Sequence, residues 1–133
     1  MDEFLKVEMR VWDARHLIMM GVKSLRWDSD GKIIVNADLE VGKRFILMES
    51  IGRRDGSGHL IYVGDCLRMR SGGSVFCGDV VYNGDTASYR LRTHHFDSIG
   101  ISNTMKISRE DEIEVIGDIY RNPLLVDEMG NFN

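Results

Sequence analysis

Residues 58–84, GHLIYVGDCLRMRSGGSVFCGDVVYNG, give the clearest indication of how this chain folds. This stretch contains two runs that are alternating or β-rich, HLIYVGDCLRMR and SVFCGDVVY, and such runs are typical of strands. Glycine-containing turns, SGG at 71–73 and NGD at 83–85, follow the two runs. Together with the β-rich run TASYRLRT at 86–93, the stretch predicts an antiparallel meander.

The turns of this stretch lead to three specific predictions. Asn83-Gly84 favours a type I′ hairpin, because both residues tolerate positive φ. Gly64-Asp65 is predicted to form the turn that leads into a strand. A tight turn centred on Ser71-Gly72 would place Cys66 directly opposite Cys77, so we expect two neighbouring free thiols in a reducing compartment rather than a disulfide.

The flanking segments extend the β pattern. Residues 5–11 (LKVEMRV) alternate strictly, and DSDGK at 28–32 is typical of the turn of a short hairpin. Near the end, EIEVIGDIY at 112–120 predicts a final strand, and Asn122 with Pro123 predicts the start of a short helix. The sequence therefore indicates one mainly β domain over 1–133, borderline α+β, built as a curved antiparallel meander in open barrel-like or sandwich-like sheets. The expected core or interstrand residues are Trp12, Trp27, Phe45, Phe76, Tyr82 and Ile116.

Composition excludes several classes of protein. Lys and Arg number 17 against 21 Asp and Glu, a net charge of −4, so any attraction to nucleic acid needs a local basic patch. No apolar run approaches the roughly 18 residues that span a membrane, and the first residues lack a signal-peptide pattern. Two cysteines are too few for a secreted disulfide scaffold. We therefore expect a cytoplasmic protein that makes no contact with a membrane.

Two pairs of arginines are the candidate binding residues. Arg68 and Arg70 are two apart on one predicted strand, and Arg90 and Arg92 are two apart on another, so each pair projects from a single face. If both faces belong to one sheet, the four side chains form a basic stripe able to contact the phosphates of a nucleic acid. The same spacing also suits strands whose polar side simply faces water.

The remaining motifs give weaker evidence of a binding or catalytic site. SGGS and VGKR lack the full phosphate-loop motif, and DSDGK places its glycine too early for a calcium loop. His94 and His95 would point to opposite faces of a strand, which leaves at most a partial metal site with Asp97. No Gly-x-Ser-x-Gly elbow occurs, although Cys66 or Cys77 could meet a distant histidine. We therefore predict no catalytic residues, no metal site and no cofactor.

Three blocks of sequence resemble the YopX-like family of bacteriophage and prophage proteins. They are MRVWD at 9–13, FILMESIGRRDGSGHLIYVGDCL at 45–67 and EIEVIGDIYRNPLL at 112–125. The second block is similar to the family core L-M-x-x-x-G-x-x-D-x-x-G-x-x-I-Y-x-G-D. The third is similar to the family ending E-V-I-G-N-I-Y-E-N-P, with Asp118 in place of the usual Asn.

The resemblance implies a small, mostly β, phage-encoded protein of a family whose function is uncharacterised, and it transfers no catalytic residue. We expect a non-enzymatic accessory protein of a phage or prophage, acting in the bacterial cytoplasm, that binds a protein partner or self-associates through a sheet face or edge. One alternative is nucleic-acid binding through the arginine stripe. Another is a metal-assisted hydrolase that uses His94, His95 and Asp97.

Overall fold

The computed structural model describes residues 8–96 and 102–125, and strands dominate this part of the chain. The twelve strands are β1 (Met9–Asp13), β2 (Ile18–Gly21), β3 (Leu25–Trp27), β4 (Ile33–Val35), β5 (Leu39–Glu40), β6 (Phe45–Arg54), β7 (Leu60–Tyr62), β8 (Asp65–Ser71), β9 (Ser74–Asn83), β10 (Ser88–Phe96), β11 (Ser102–Lys106) and β12 (Glu112–Asp118). A short helical segment at 123–125 begins at the predicted proline. The prediction of a mainly β fold with a short C-terminal helix is therefore confirmed.

The strands form three sheets, with the orders β2-β1-β6-β7, β11-β10-β9-β8-β12 and β3-β4-β5. The pairs β1-β2, β8-β12 and β8-β9 are antiparallel, and one sheet curls into a half-barrel. The chain divides into two compact units, Met1–Ser50 and Ile51–Asn133, called here the N-terminal and C-terminal units. Strand β6 contributes its first residues to one unit and its last residues to the other. The single domain over 1–133 stays a prediction.

In the N-terminal unit, β1 pairs with β2 on one side and with β6 on the other. Its buried apolar side chains include Val11, Trp12, Ile34, Val35 and Met48. The DSDGK turn is confirmed, because Gly31 has a φ of +80° and Oδ1 of Asp28 accepts hydrogen bonds from the amides of Asp30 and Lys32. Residues 5–7 of the predicted first strand lie outside the described residues.

In the C-terminal unit, β8 to β11 form the predicted meander, and β12 returns to pair with the free side of β8. One face of this five-stranded sheet packs against the apolar core. Its buried members are Ile61, Leu67, Met69, Val80, Leu91 and Ile113. Gly78 permits close packing here, since a Cβ atom at that position would lie 2.3 Å from the carbonyl oxygen of Arg92.

Two of the expected core residues are exposed. Trp27 is 66% exposed because it ends the edge strand β3 just before a turn, and Tyr82 is 52% exposed near the end of β9, where it contacts Tyr89 edge-on at 5.4 Å. Trp12 is buried as expected, and Phe76 packs against the core from a half-buried position. Phe45 and Ile116 are also half buried. The buried core of the C-terminal unit consists of aliphatic and methionine side chains, whereas the buried aromatic Trp12 belongs to the N-terminal unit.

The β8-β9 hairpin turns one residue later than predicted. Gly72 and Gly73 occupy the turn with φ values of +58° and +86°, and Ser71 pairs with Ser74. Moving the turn by one residue shifts every cross-strand partner by two, so Cys66 faces Asp79 rather than Cys77. The predicted opposition of the two thiols is wrong, although both cysteines are free and lie on the same face of the sheet.

The β9-β10 hairpin exists, but its turn is not the predicted two-residue type. Asn83 pairs with Ser88, which leaves four residues in the loop, and the positive φ of +50° falls at Ala87. The side chain of Asn83 stabilises the turn in another way, because its Oδ1 accepts hydrogen bonds from the amides of Asp85 and Thr86.

Candidate functional site on the polar face of the five-stranded sheet

The strand register places all four candidate arginines on one face of the five-stranded sheet. Cys77 faces Arg68, and Asp79, two residues further along β9, faces Arg92. Because side chains two apart share a face, Arg70 and Arg90 lie on the same side. We call this side the polar face. Its other charged members are Asp79, Lys106, Glu112 and Glu114.

Two of the four arginines are held by carboxylates on neighbouring strands. Arg92 donates to both carboxylate oxygens of Asp79, at 3.1 and 2.8 Å, and the Asp79 side chain is buried. Arg68 lies 3.0 Å from Oε2 of Glu114, with both side chains more than half exposed. A buried carboxylate that loses its partner is costly, so the pair with Asp79 fastens Arg92 to the sheet. The exposed pair with Glu114 contributes little to stability.

The other two arginines differ from each other. Nε of Arg90 donates to the hydroxyl of Thr104 at 3.0 Å on the adjacent strand β11. Arg70 is exposed and forms no side-chain hydrogen bond or ion pair with any residue in the described part of the chain. The four arginines thus share a face as the stripe requires, but two acidic partners interrupt the positive charge. Their role in binding nucleic acid stays a prediction.

A groove of about 590 Å³ lies at one end of the polar face. One wall is formed by the end of β6 and the loop that follows it, with Arg53 and Arg54. The other wall is the polar face of β8 and β12. We call it the arginine groove. Its lining includes Arg53, Arg54, Arg68, Arg70, Val75, Glu112 and Glu114. Its volume lies within the range of small-ligand sites, about 300–1,000 Å³.

Arg53, in the wall of the groove, is bound to the turn at 108–111. Its guanidinium donates to the carbonyl oxygens of Ser108 and Asp111, both at 2.7 Å. The same turn is closed by the amide of Ser108, which donates to Oδ2 of Asp111 at 2.7 Å. Asp111 therefore closes a turn that Arg53 fastens to the end of β6.

Acidic groups surround the buried thiol of Cys66. Burial, together with the smaller effect of the nearby carboxylates of Asp79, Asp118 and Asp65, raises the pKa of this thiol to about 12. Burial also raises the pKa of Cys77, against a smaller opposing effect of Arg68. A thiol that stays protonated is a poor nucleophile, so neither cysteine is placed for chemistry that requires a thiolate at neutral pH.

The motif residues at 52–65 shape the backbone. Gly52, Gly58 and Gly64 have φ values of +76°, +90° and +95°, a region that favours glycine. The buried carboxylate of Asp65 accepts a hydrogen bond from the amide of Tyr62 at 2.8 Å. Strand β8 begins at Asp65, which confirms the predicted Gly64-Asp65 turn.

Like Asp65, Asp55 stabilises the backbone of the 52–65 segment by accepting hydrogen bonds from amides. Its Oδ1 accepts hydrogen bonds from the amides of Ser57 and His59, and its Oδ2 accepts one from the amide of Val115. Burial works against ionisation, but these hydrogen bonds outweigh it and lower the pKa of the Asp55 carboxyl. The carboxylate therefore holds its loop against β12.

The GDIYRN segment near the end is built around another buried carboxylate. Asp118 accepts hydrogen bonds from the amides of Tyr120 and Arg121, and Nε of Arg121 lies 2.6 Å from its Oδ2. A Cβ atom at Gly117 would lie 2.6 Å from Oδ1 of Asn122. The side chain of Asn122 in turn accepts a hydrogen bond from the amide of Asp118.

The MRVWD block ends in an equivalent carboxylate of the N-terminal unit. Asp13 accepts hydrogen bonds from the amides of Arg15 and His16 and from the side chains of Arg44 and His16. The Arg44 guanidinium is the main reason that the pKa of the Asp13 carboxyl lies well below its ordinary value. Each of the three sequence blocks thus contains an aspartate that organises a turn.

The structure does not test the partial metal site considered for His94, His95 and Asp97. The side chains of His94 and His95, and all of Asp97, lie outside the described residues. Within the described ranges, no three His, Cys, Asp or Glu side chains are arranged as metal ligands, and no helix there is long and apolar enough to cross a membrane.

Sequence reasoning missed the groove itself. One available signal was the match between R-M-R at 68–70 and E-I-E at 112–114, since opposite charges at the same period favour adjacent strands.

Comparisons with known proteins agree with this architecture. The family model described as "YopX protein" matches residues 6–127. The structure is similar to the crystal structure of protein yopX from Bacillus subtilis, with a TM-score of 0.56 and 21% identity over 87% of this chain and 94% of that one. It is also similar to protein EF1440 from Enterococcus faecalis, with a TM-score of 0.51 and 18% identity over 92% of this chain and 99% of that one. No curated protein matched the sequence.

Proposed function

Since the chain belongs to the YopX protein family, we propose that it is a non-enzymatic binding module that recognises a partner protein through the polar face of the five-stranded sheet. The observation that carries the proposal is the mixture of charges on that face. Exposed Arg68 and Arg70 lie beside exposed Glu112 and Glu114 on adjacent strands. A protein surface can present both signs of charge in a matching order, which gives specificity.

The motif residues support the same proposal. Asp55, Asp65 and Asp118 are buried and engaged with backbone amides, so they build the scaffold that presents the polar face. The exposed side chains are therefore the ones available to a partner. A phage or prophage origin and a cytoplasmic location belong to the proposal and derive their support from the family.

Affinity capture tests the proposal directly. The tagged chain and its R68A/R90A variant are used as bait in lysates of the bacterium that carries it, with and without prophage induction. An R26A/K32A variant removes two exposed cations from the N-terminal unit and serves as the charge-matched control. We expect a partner that the wild type and the control recover equally and that R68A/R90A recovers about tenfold less, the effect of about 1.4 kcal/mol. Equal recovery by all three would refute the proposal.

Self-association is one form of the same function. Sedimentation of the purified chain gives its mass in solution, and an oligomer that R68A/R90A converts to monomer would identify a second copy as the partner. An oligomer that this variant leaves intact would place the contact outside the polar face.

Nucleic-acid binding is the second candidate, because Arg68, Arg70, Arg90 and Arg92 lie on one face, as a phosphate-binding stripe requires. A mobility shift with DNA or RNA that weakens steeply with salt and disappears in R68A/R90A would favour it. The acidic net charge and the carboxylates of Glu112 and Glu114 on the polar face favour the protein partner instead.

A further inference from the structure

The four guanidiniums of the arginine groove are not equivalent. Arg53 is engaged by the carbonyls of the 108–111 turn, Arg54 donates to the carbonyl of Gly58 at 2.9 Å, and Arg68 pairs with Glu114. Arg70 has no such partner among the described residues. The groove therefore offers one arginine that can bind an incoming anion without first breaking a contact within the chain.

The neighbours of Arg70 define what kind of anion suits it. Its cross-strand partner on β9 is Val75, which is 52% exposed, and its partner on β12 is Glu112. Directly opposed side chains on adjacent strands are about 4.5–5.5 Å apart at Cβ. An arginine and an exposed aliphatic side chain are thus immediate neighbours in the groove.

Resting on the proposed function, we propose that the arginine groove binds an extended peptide segment that carries a carboxylate side chain two residues from an aliphatic one. The carboxylate pairs with the guanidinium of Arg70, and the aliphatic side chain covers Val75. The spacing of two follows from the alternation of side chains along an extended chain, which brings residues i and i+2 to the same face. Arg and carboxylate can form two parallel hydrogen bonds, the geometry that favours arginine at such positions.

The charges of the groove argue against a polyanion as its occupant. On β12, Glu112 faces Arg70 and Glu114 faces Arg68. A nucleic acid carries a charge on each nucleotide and would place phosphates near both carboxylates, whereas a single carboxylate bound to Arg70 lies beside Glu112 alone. The volume of about 590 Å³ also suits a few side chains of a linear segment.

Selection from a display library tests the inference without knowledge of the natural partner. Yeast-displayed random dodecapeptides are selected on the purified full chain, and the enriched sequences are synthesised with a fluorescent label. We expect Asp or Glu two positions from Leu, Ile or Val to be enriched. By fluorescence anisotropy, R70A should weaken binding about tenfold or more, and V75S should weaken it severalfold.

The control is R26A, which removes an exposed arginine of the N-terminal unit and should leave the affinity within about twofold of the wild type. Circular dichroism and urea unfolding establish that R70A and V75S fold as the wild type does, which is expected for exposed side chains. R70K retains the charge but loses the paired hydrogen bonds, so its affinity should lie between those of the wild type and R70A.

Several outcomes would overturn the inference. These are a selection that enriches no peptide, enriched peptides without carboxylates, equal binding to R70A, and an oligothymidylate that binds more tightly than the peptides and displaces them. If the enriched peptides lack carboxylates but bind R68A/R90A more weakly than the wild type, this inference is refuted and the proposed function stands. A captured partner that ignores all substitutions on the polar face would refute the proposed function itself.

Discussion

Oδ2 of Asp55 accepts a hydrogen bond of 2.9 Å from the backbone amide of Val115, 60 residues further along the chain. Nearby, the amide of Gly56 donates to the carbonyl oxygen of Ile113 at 3.0 Å. These two contacts hold one wall of the arginine groove against the strand that forms its other side. The geometry of the groove therefore depends on a carboxylate that is itself buried beneath it.

Replacing Asp55 should destabilise the protein. D55A leaves the amides of Ser57, His59 and Val115 without their acceptor, and an unsatisfied buried donor costs about 1–3 kcal/mol. Urea unfolding measures the loss, and D30A, which removes an exposed carboxylate, should change stability by less than about 0.5 kcal/mol. Equal effects of the two substitutions would contradict the role assigned to Asp55.

Gly117 and Asn122 should be coupled. In G117A the new Cβ would meet Oδ1 of Asn122 at 2.6 Å, and overpacking of this kind costs about 1–3 kcal/mol. Because the obstacle is a side chain, G117A should cost less in an N122A background, and a double-mutant cycle by urea unfolding measures the difference. Additive effects would show that the contact is unimportant. G21A is the control, since a Cβ atom there meets nothing within 4 Å.

The two thiols should react at very different rates. Cys66 is fully buried with a pKa raised to about 12, whereas Cys77 is half buried. Iodoacetamide at pH 8 should therefore modify Cys77 first and modify Cys66 only after unfolding, as mass spectrometry of peptides can show. Modification of Cys66 at the rate of Cys77 in the folded protein would contradict the burial of that thiol.

Stability should fall in acid. The pKa values of Asp13 and Asp55 in the folded protein lie below the ordinary value of 3.8, so both groups favour the folded state when ionised. Their contribution to the free energy of unfolding is present above the ordinary pKa of 3.8. It is lost as the pH falls through 3.8 towards the lower pKa values of the folded state. Urea midpoints measured between pH 7 and pH 3 should show this decline. The decline should be smaller in D13N, and an unchanged profile in that variant would exclude Asp13 as a contributor.

Local patterns of sequence predicted the strands well because alternation and glycine placement act over a few residues. The β8-β9 hairpin was expected at the correct place, but its turn was predicted one residue early. SGGS is compatible with a turn centred on Ser71-Gly72 or on Gly72-Gly73. The structure has the second turn, in which both central residues are glycines with positive φ. A shift of this size leaves each side chain on the same face of the sheet but changes its cross-strand partner. The four arginines therefore share a face as predicted, whereas the two cysteines are not opposite each other.

Long-range relationships were not predictable in the same way. The contact of Asp79 with Arg92 depends on the register of β9 with β10, and the arginine groove depends on where β12 returns to the sheet. Trp27 was expected inside because of its residue type, but it ends an edge strand. At the end of an edge strand, the exposure of a side chain depends on its position in the sheet as well as on its hydrophobicity.

The contacts of the 55–58 loop with β12 have a consequence for the behaviour of the protein at high concentration. Backbone groups at the edge of a sheet can recruit a strand from another molecule and begin fibril growth. At Ile113 and Val115 those groups are already bonded to Gly56 and Asp55 within the same chain. The loop thus caps this edge against polymerisation and leaves the adjoining face open.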